Sequence, residues 1–376
     1  MKIVRIIARG LPLFRQELDI QFYARQRVSE NDTESLYHLG SNIYLHTAKA
    51  FIGVNASGKT SVLKAIQLAF SIVNNDPINQ TEAKTILGGT EKAVFRIFFC
   101  DAKTNICCLE TEITSYRTKF GERRYAILGE KLWEKPLASV KSKKYLTDFT
   151  GLEPLAVRDG TEMFLPEDVS FIIGFNRKKN DGLKFACLFS HTGLNKLPFS
   201  GDVPPEIVAF LDPTVEKLCV SRNFIRLKLR GQDEITLNSV PELEKYLSSG
   251  TIRGIVALSL VKDVLQSGGY LLIDDIESRL NREIVATLTR FFLDATLNRK
   301  GGALLFTTHC PEILDVFSRN DSVYIVRNQN GVIAENLSVA LKRNDIKKSE
   351  VYQSGFLKGT TLDYDAYLRL KQLFSE

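Results

Sequence analysis

The 376-residue chain contains no run of 18 or more apolar residues; its longest apolar runs are only a few residues. A membrane-spanning helix needs about 20, so none is expected. Arg5 and Arg9 interrupt the apolar stretch at the N-terminus, which argues against a signal peptide. Six cysteines are too few for a disulfide framework in a chain of this length, and none stands as C-x-x-C. A reduced, cytoplasmic protein is therefore expected. Cys107 and Cys108 are adjacent, which suits the two opposite faces of a strand. Histidine is scarce, at four residues, and no H-x-x-x-H or HNH-like cluster offers a nuclease or toxin centre. Internal repeats, sustained heptads and low-complexity tracts are also missing, which excludes solenoid and coiled-coil architectures.

What is present is a globular balance. Hydrophobic residues make up 44% and charged residues 25%, enough for a sizeable core. The net charge of +6 is unevenly placed. Between Ser115 and Tyr145, nine basic residues face three acids, so this segment alone carries a surplus equal to that of the whole chain. Such a segment is either a solvated face or a contact for nucleic acid or an acidic partner. Tyr116, Phe120, Tyr125, Trp133 and Tyr145 lie within it, at spacings that also fit an ordinary core.

The first third reads as strand-rich. Met1–Ala8 is apolar and β-branched, Leu18, Ile20 and Phe22 alternate, and Ile43–Val54 is extended. A helix follows from Thr60, with Leu63, Ile66, Phe70 and Val73 at helical spacing. Val94–Cys100 and Ile106–Ile113 form a hairpin, with a third strand expected over Tyr116–Leu128. Farther on, a short strand is expected near Phe171–Ile173, a helix over Pro205–Leu218, and an alternating strand over Arg222–Arg230. In the last third, a helix carrying Ile252, Ile255, Val256, Leu260 and Val264 closes at Gly268. Strands over Tyr270–Asp274 and Ala303–Thr307 flank a helix capped by Asn281. Strand patterns recur at Ser322–Val326 and Val332–Ala334. Short, uniformly apolar strands separated by helices indicate a parallel sheet buried on both faces.

Gly53-Val54-Asn55-Ala56-Ser57-Gly58-Lys59-Thr60 fits G-x-x-x-x-G-K-[ST], the phosphate-binding loop, with a strand before it and a helix after it. Glycines let backbone N–H groups curl around phosphate oxygens, and the helix N-terminus adds its dipole. Asn55, Ala56, Ser57, Gly58 and Ser61 belong to this cradle; Lys59 reaches the outer phosphates and Thr60 offers a hydroxyl to Mg²⁺. Tyr270-Leu271-Leu272-Ile273-Asp274-Asp275 has the Walker B form, an apolar strand ending in acid, with Asp274 on the Mg²⁺ side. Leu247-Ser248-Ser249-Gly250-Thr251 opens a helix. Its serine hydroxyl and glycine N–H make an anion site. His309 follows the next strand, after Phe306-Thr307-Thr308.

In this order the four motifs resemble those of ABC-type ATPases of the SMC/RecF/OLD group, closest to the small stand-alone ATPases of bacterial anti-phage and abortive-infection systems. The architectural resemblance covers about residues 1–128 and 221–340. It implies an α/β fold: an ABC-type P-loop NTPase head with a parallel core sheet and an N-terminal antiparallel β lobe. It also implies ATP and Mg²⁺ as cofactors. Ser248 and Gly250 of the LSSGT signature would complete the nucleotide site of a second protomer, and His309 would contact the γ-phosphate. Asp275 stands where the group carries a glutamate that orients the attacking water. Its carboxylate is one methylene shorter, so slow hydrolysis is expected, with Lys59, Asp275 and His309 as the catalytic set. The glutamine that joins Mg²⁺ in the group is not assigned from these residues; Gln67, within the first helix, is a poor candidate.

Lys59 and Asp274 are 215 positions apart. SMC-type proteins place a coiled coil in this interval. Without heptads, a compact inserted lobe is expected at 129–220, between ATPase lobes at 1–128 and 221–340, followed by a tail over 341–376. The tail's helix, with Tyr364, Tyr367, Leu368 and Leu370, is expected to dock on its own domain. The expectation for function is an ATP-gated homodimer or higher oligomer that controls a separate effector, such as a nuclease or toxin, in anti-phage defence. The alternative is a RecF- or SMC-like repair ATPase that clamps DNA through segment 115–145. A transporter subunit is a distant third.

Overall fold

The computed structural model describes residues 1–159, 165–179, 182–189, 201–221, 224–278, 280–360 and 364–375. Two six-stranded sheets dominate it. The first is antiparallel, in the order Leu18–Gln21, Lys2–Arg9, Ala93–Cys100, Asn105–Arg117, Arg123–Pro136, Ala156–Arg158. The second runs Phe185–Leu188, Tyr270–Ile273, Ala303–Thr308, Ala48–Ile52, Val323–Asn328, Val332–Asn336. Its first five strands are parallel neighbours and the last pairs antiparallel. The helix Lys59–Val73 packs between the sheets. Its Phe70 ring meets those of Phe22, Phe185 and Tyr270, joining both sheets through one core. The other face of the parallel sheet is covered by the helices Ser249–Ser267 and Arg282–Leu293. This is the expected α/β architecture, a parallel core with an antiparallel lobe.

Cys107 packs in the core shared with the helix Lys59–Val73, and Cys108 in a separate core on the opposite face. The antiparallel sheet is therefore covered on both sides, as two adjacent apolar cysteines require. Gly268 ends the helix Ser249–Ser267 in the left-handed conformation, and Asn281 accepts from Ile284 N at 2.8 Å as the cap of the next helix.

Several expectations are corrected. Residues 128 and 129 both lie inside the strand Arg123–Pro136, so the boundary expected there cuts the antiparallel sheet. Phe185–Leu188, assigned to the inserted lobe, is an edge strand of the parallel sheet. The boundary at 220/221 divides the hairpin between Val215–Val220 and Ile225–Leu229. The compact extra lobe is a four-stranded sheet, Gly201–Asp202, Val215–Val220, Ile225–Leu229 and Ile235–Leu237. Its core extends to Leu243, Leu247 and Ile252, so the lobe grows directly into the signature helix.

Near Phe171–Ile173 the chain is the helix Ile172–Lys179, not a strand. Ile172 and Asn176 are buried four residues apart, and Asn176 Nδ2 donates to Val73 O at 2.8 Å, a periodicity visible only beyond the apolar triplet. The helix expected to reach Leu218 stops at Leu211, because Pro213 disfavours helical geometry at Asp212; a strand follows from Val215. The third strand of the hairpin begins at Arg123 rather than at Tyr116, which extends the preceding strand. Of the alternating segment, Ile225–Leu229 is a strand with Ile225 and Leu227 buried, while Arg222 lies outside the described residues. The helix Tyr364–Leu373 does form, with Tyr367, Leu368, Leu370 and Leu373 exposed rather than buried, while the Tyr364 side chain lies outside the described residues.

A buried polar network braces the base of the parallel sheet. Asp321 accepts from Arg319 Nη2 at 2.8 Å and from Gln26 N at 2.9 Å, while Lys49 Nζ donates to the Asp321 carbonyl at 2.9 Å. His46 lies beside this group; burial, with the Lys49 charge second, lowers its pKa from 6.5 to about 4 against the attraction of Asp321. The folded chain therefore binds fewer protons than the unfolded chain between these values. Stability should fall as pH drops from 6.5 to about 4, and His46→Gln should remove part of that fall; equal slopes in urea titrations of the two proteins would count against it.

Candidate nucleotide-binding site

The strand Ala48–Ile52 is buried at every residue and delivers the chain to the phosphate loop. Gly53 leaves no room for a side chain: a Cβ there would lie 2.3 Å from Val326 O. Ala56 and Gly58 take positive φ, at 61° and 96°, the backbone turn that gathers N–H groups into an anion nest. A Cβ on Gly58 would also sit 2.4 Å from Val332 Cγ2. Ser57 is buried, and among the described residues its Oγ has no hydrogen-bond partner. The helix Lys59–Val73 starts directly after this turn. A groove of about 310 Å³ runs over the loop, lined by Ala56 to Ser61 together with Leu13, Asn328 and Val332. Asn55 is exposed on the loop.

Lys59 Nζ donates to Gly53 O at 2.8 Å and Val54 O at 3.1 Å, folded over the loop's own carbonyls. Burial lowers its pKa, opposed by the charges of Asp275, Glu277 and Asp274, so three carboxylates act on one ammonium. Thr60 Oγ1 donates to the Asp274 carboxylate at 2.9 and 3.1 Å. Asp274 is 3% exposed and also accepts from Thr307 Oγ1 at 2.6 Å. The Thr307 hydroxyl in turn accepts from Asp275 N at 2.7 Å. Asp275 takes a positive φ of 52°, and its Oδ1 lies 3.1 Å from His309 Nδ1. Glu277 Oε1 lies nearer, 2.8 Å from His309 Nδ1, and accepts from His309 N at 2.5 Å.

These residues fit a nucleotide and its metal. The buried, unpartnered Ser57 hydroxyl and the nest around Gly58 form a cradle for phosphate oxygens, and the Thr60–Asp274 pair offers the hard oxygen donors that Mg²⁺ prefers. Ser248 and Gly250 stand elsewhere, at the start of the helix Ser249–Ser267. Ser248 Oγ accepts from Thr251 N at 3.0 Å, and neither residue lines the groove. That helix reaches the site through Arg253, whose guanidinium donates to Ser278 Oγ at 2.6 Å and Asp274 O at 3.5 Å.

Sequence reasoning did not assign roles to Thr307, Arg253, Leu13, Asn328 or Val332. Thr307 carries a local signal, a polar residue at the end of an otherwise apolar strand. The groove-lining residues carry none: Leu13 lies 43 positions before Ala56, and Asn328 and Val332 lie at least 267 positions after the loop. Thr307→Val keeps the shape but strips partners from the Asp274 carboxylate and Asp275 N. It should cost about 1–3 kcal/mol of stability and weaken Mg²⁺-dependent nucleotide binding; unchanged denaturation and titration curves would contradict the assignment.

The family described as "AAA domain, putative AbiEii toxin, Type IV TA system" matches residues 109–315, more than half of the chain. No curated protein matches it. Among solved structures, the recombination mediator protein RecF, titled as RecF-ATPrS in the RecFOR pathway, is similar at 10% identity and a TM-score of 0.40, covering 89% of this chain and 98% of that one. CbiO1 from Clostridium perfringens, titled as part of the ABC transporter complex cbiONQ, is similar at 12% identity and a TM-score of 0.30, covering 99% and 100%. Both likenesses are loose.

Proposed function

The chain belongs to this AAA-domain family, and we propose that it is an ATP-driven switch that dimerises around Mg²⁺–ATP and controls a separate effector. The observation that carries the reading is one continuous set of contacts: Thr60 to Asp274, Asp274 to Thr307, Thr307 to Asp275, and Asp275 to His309. It runs from the metal side of the phosphate loop to the histidine expected at the γ-phosphate. In this reading Lys59 exchanges its bonds to Gly53 O and Val54 O for phosphate oxygens. Gly53, Asn55, Ala56, Ser57, Gly58 and Ser61 form the cradle. Thr60 and Asp274 hold Mg²⁺, which neutralises phosphate charge. Asp275 and His309 stand at the outer end, turnover is slow, and ATP binding is the main signal.

Ser248 and Gly250 lie outside their own groove, which supports a role in completing the site of a second protomer. Arg253 would carry that engagement to Ser278 and Asp274. The family description names a toxin and a Type IV toxin–antitoxin system, which supports a toxin-like effector in a defence setting. Lys59→Ala should abolish ATP binding, whereas Ser248→Arg should leave monomer binding intact and block ATP-dependent dimerisation. Isothermal titration and sedimentation would check both; a dimer formed by the Ser248→Arg protein would remove the trans-site model.

One observation favours the DNA-clamping alternative. The hairpin between Asn105–Arg117 and Arg123–Pro136 ends in a tight turn, with Gly121 N donating to Thr118 O at 2.9 Å. Phe120 at its tip is 99% exposed, among the exposed Arg117, Lys119, Arg123 and Arg124. An aromatic ring among cations suits a single-stranded nucleic acid, where stacking contributes about 1–3 kcal/mol per base. On this alternative, Lys119→Glu with Phe120→Ala should weaken ATP-dependent DNA binding and flatten its salt dependence; binding by the double variant equal to that of the parent would dismiss it.

A further inference from the structure

We propose that Glu277, rather than Asp275, is the catalytic carboxylate that aligns and deprotonates the attacking water; the inference rests on the ATPase reading above. The chain turns sharply after Asp274. Asp275 adopts a left-handed φ of 52°, which aspartate tolerates better than most side chains, and Ser278 N donates back to Asp275 O at 2.9 Å. Ile276 N is tied to Thr307 O at 3.1 Å. This fold-back brings Glu277 to His309, although Asp275 is the neighbour of Asp274 in sequence.

The two carboxylates then differ in three ways. Glu277 Oε1 accepts from the backbone N of His309 at 2.5 Å and lies 2.8 Å from its Nδ1, whereas Asp275 meets only that ring nitrogen, in a hydrogen bond at 3.1 Å. The Glu277 side chain is 13% exposed and that of Asp275 37%, so Glu277 is better shielded from bulk water. Most tellingly, Glu277 Oε2 is buried and has no hydrogen-bond partner among the described residues. A buried carboxylate oxygen left without a donor calls for a ligand or water to satisfy it. Its charge also acts on Lys59, the phosphate-loop cation, which places it on the same site.

Each oxygen thus has its own task. Oε1 fixes His309, and Oε2 receives the water. Glu277 accepts the water's proton at Oε2 while the water oxygen bonds to the γ-phosphorus. The bond from that phosphorus to the β,γ-bridging oxygen breaks, and the electron pair leaves with ADP. Asp275 then serves as a positioning residue that braces the far side of His309.

The test compares Glu277→Gln, Glu277→Asp and Asp275→Asn in the full chain, with thermal melts to verify folding. Gln retains an acceptor oxygen for His309 and loses only the basicity; Asp retains the charge on a shorter arm. ATP affinity should stay near that of the parent in all three, read by titration with Mg²⁺–ATP. Single-turnover hydrolysis should drop by about 10²-fold or more in both Glu277 variants, and the nucleotide recovered from them should be uncleaved ATP. Asp275→Asn should lose less than either. The proposal is overturned if Glu277→Gln hydrolyses like the parent, or if Asp275→Asn alone carries the loss. A parent chain that binds ATP without ever cleaving it overturns the role of Glu277 and leaves the binding site standing. A parent chain that binds no ATP overturns the ATPase reading itself.

Discussion

The site depends on one buried carboxylate. Asp274 ends the strand Tyr270–Ile273 with little access to water, a position where an ionised acid is tolerated only with donors around it. The Thr60 and Thr307 hydroxyls supply them. Thr60 lies in the first turn of the phosphate-loop helix and Thr307 in the neighbouring strand Ala303–Thr308. A single charged group therefore fixes the loop helix and two adjacent strands relative to one another. The strand order makes this possible: Tyr270–Ile273, Ala303–Thr308 and Ala48–Ile52 are consecutive parallel neighbours, so their carboxyl ends meet along one edge. Open α/β sheets bind ligands in that location.

From that edge the contacts spread in two directions. Through Thr307 and Asp275 they reach His309, with Glu277 held close on the other side. Through Arg253 they reach the helix that Ser248 caps, and this helix is continuous with the core of the small four-stranded sheet. The additional lobe is thus not hung on a linker. Its packed residues, Leu243, Leu247 and Ile252, lead into the segment that carries the signature. A lobe fused in this way can transmit a change at the signature helix through packing rather than through a flexible tether.

The segments Gly53–Thr60, Tyr270–Asp275 and His309 stood out in the sequence because each is a short contiguous pattern with its own chemistry, and the structure brings them together. The ATPase family was legible for the same reason, and the match over residues 109–315 bears it out. Cys107 and Cys108 do lie on opposite faces of one strand, as their adjacency suggested, and the packing adds that both faces are covered. What depended on distant pairing was not legible. No local feature says that Phe185–Leu188 joins the parallel sheet, or that Leu13 and Val332 share a groove with Gly58. The helix at Ile172 was hidden because its deciding contact, Asn176 to Val73, spans 103 positions. Spacing alone also left Phe120 and the terminal helix open to a core assignment, and only the packing shows them at the surface.

In the proposed function, Mg²⁺–ATP joins two copies of this chain across the phosphate loop and the signature. The most direct measurement is the mass of the purified chain by light scattering, with and without Mg²⁺–ATP, at several salt concentrations. A doubling of mass that requires both nucleotide and metal is expected. A mass that stays the same with saturating nucleotide, at every salt concentration, would contradict it.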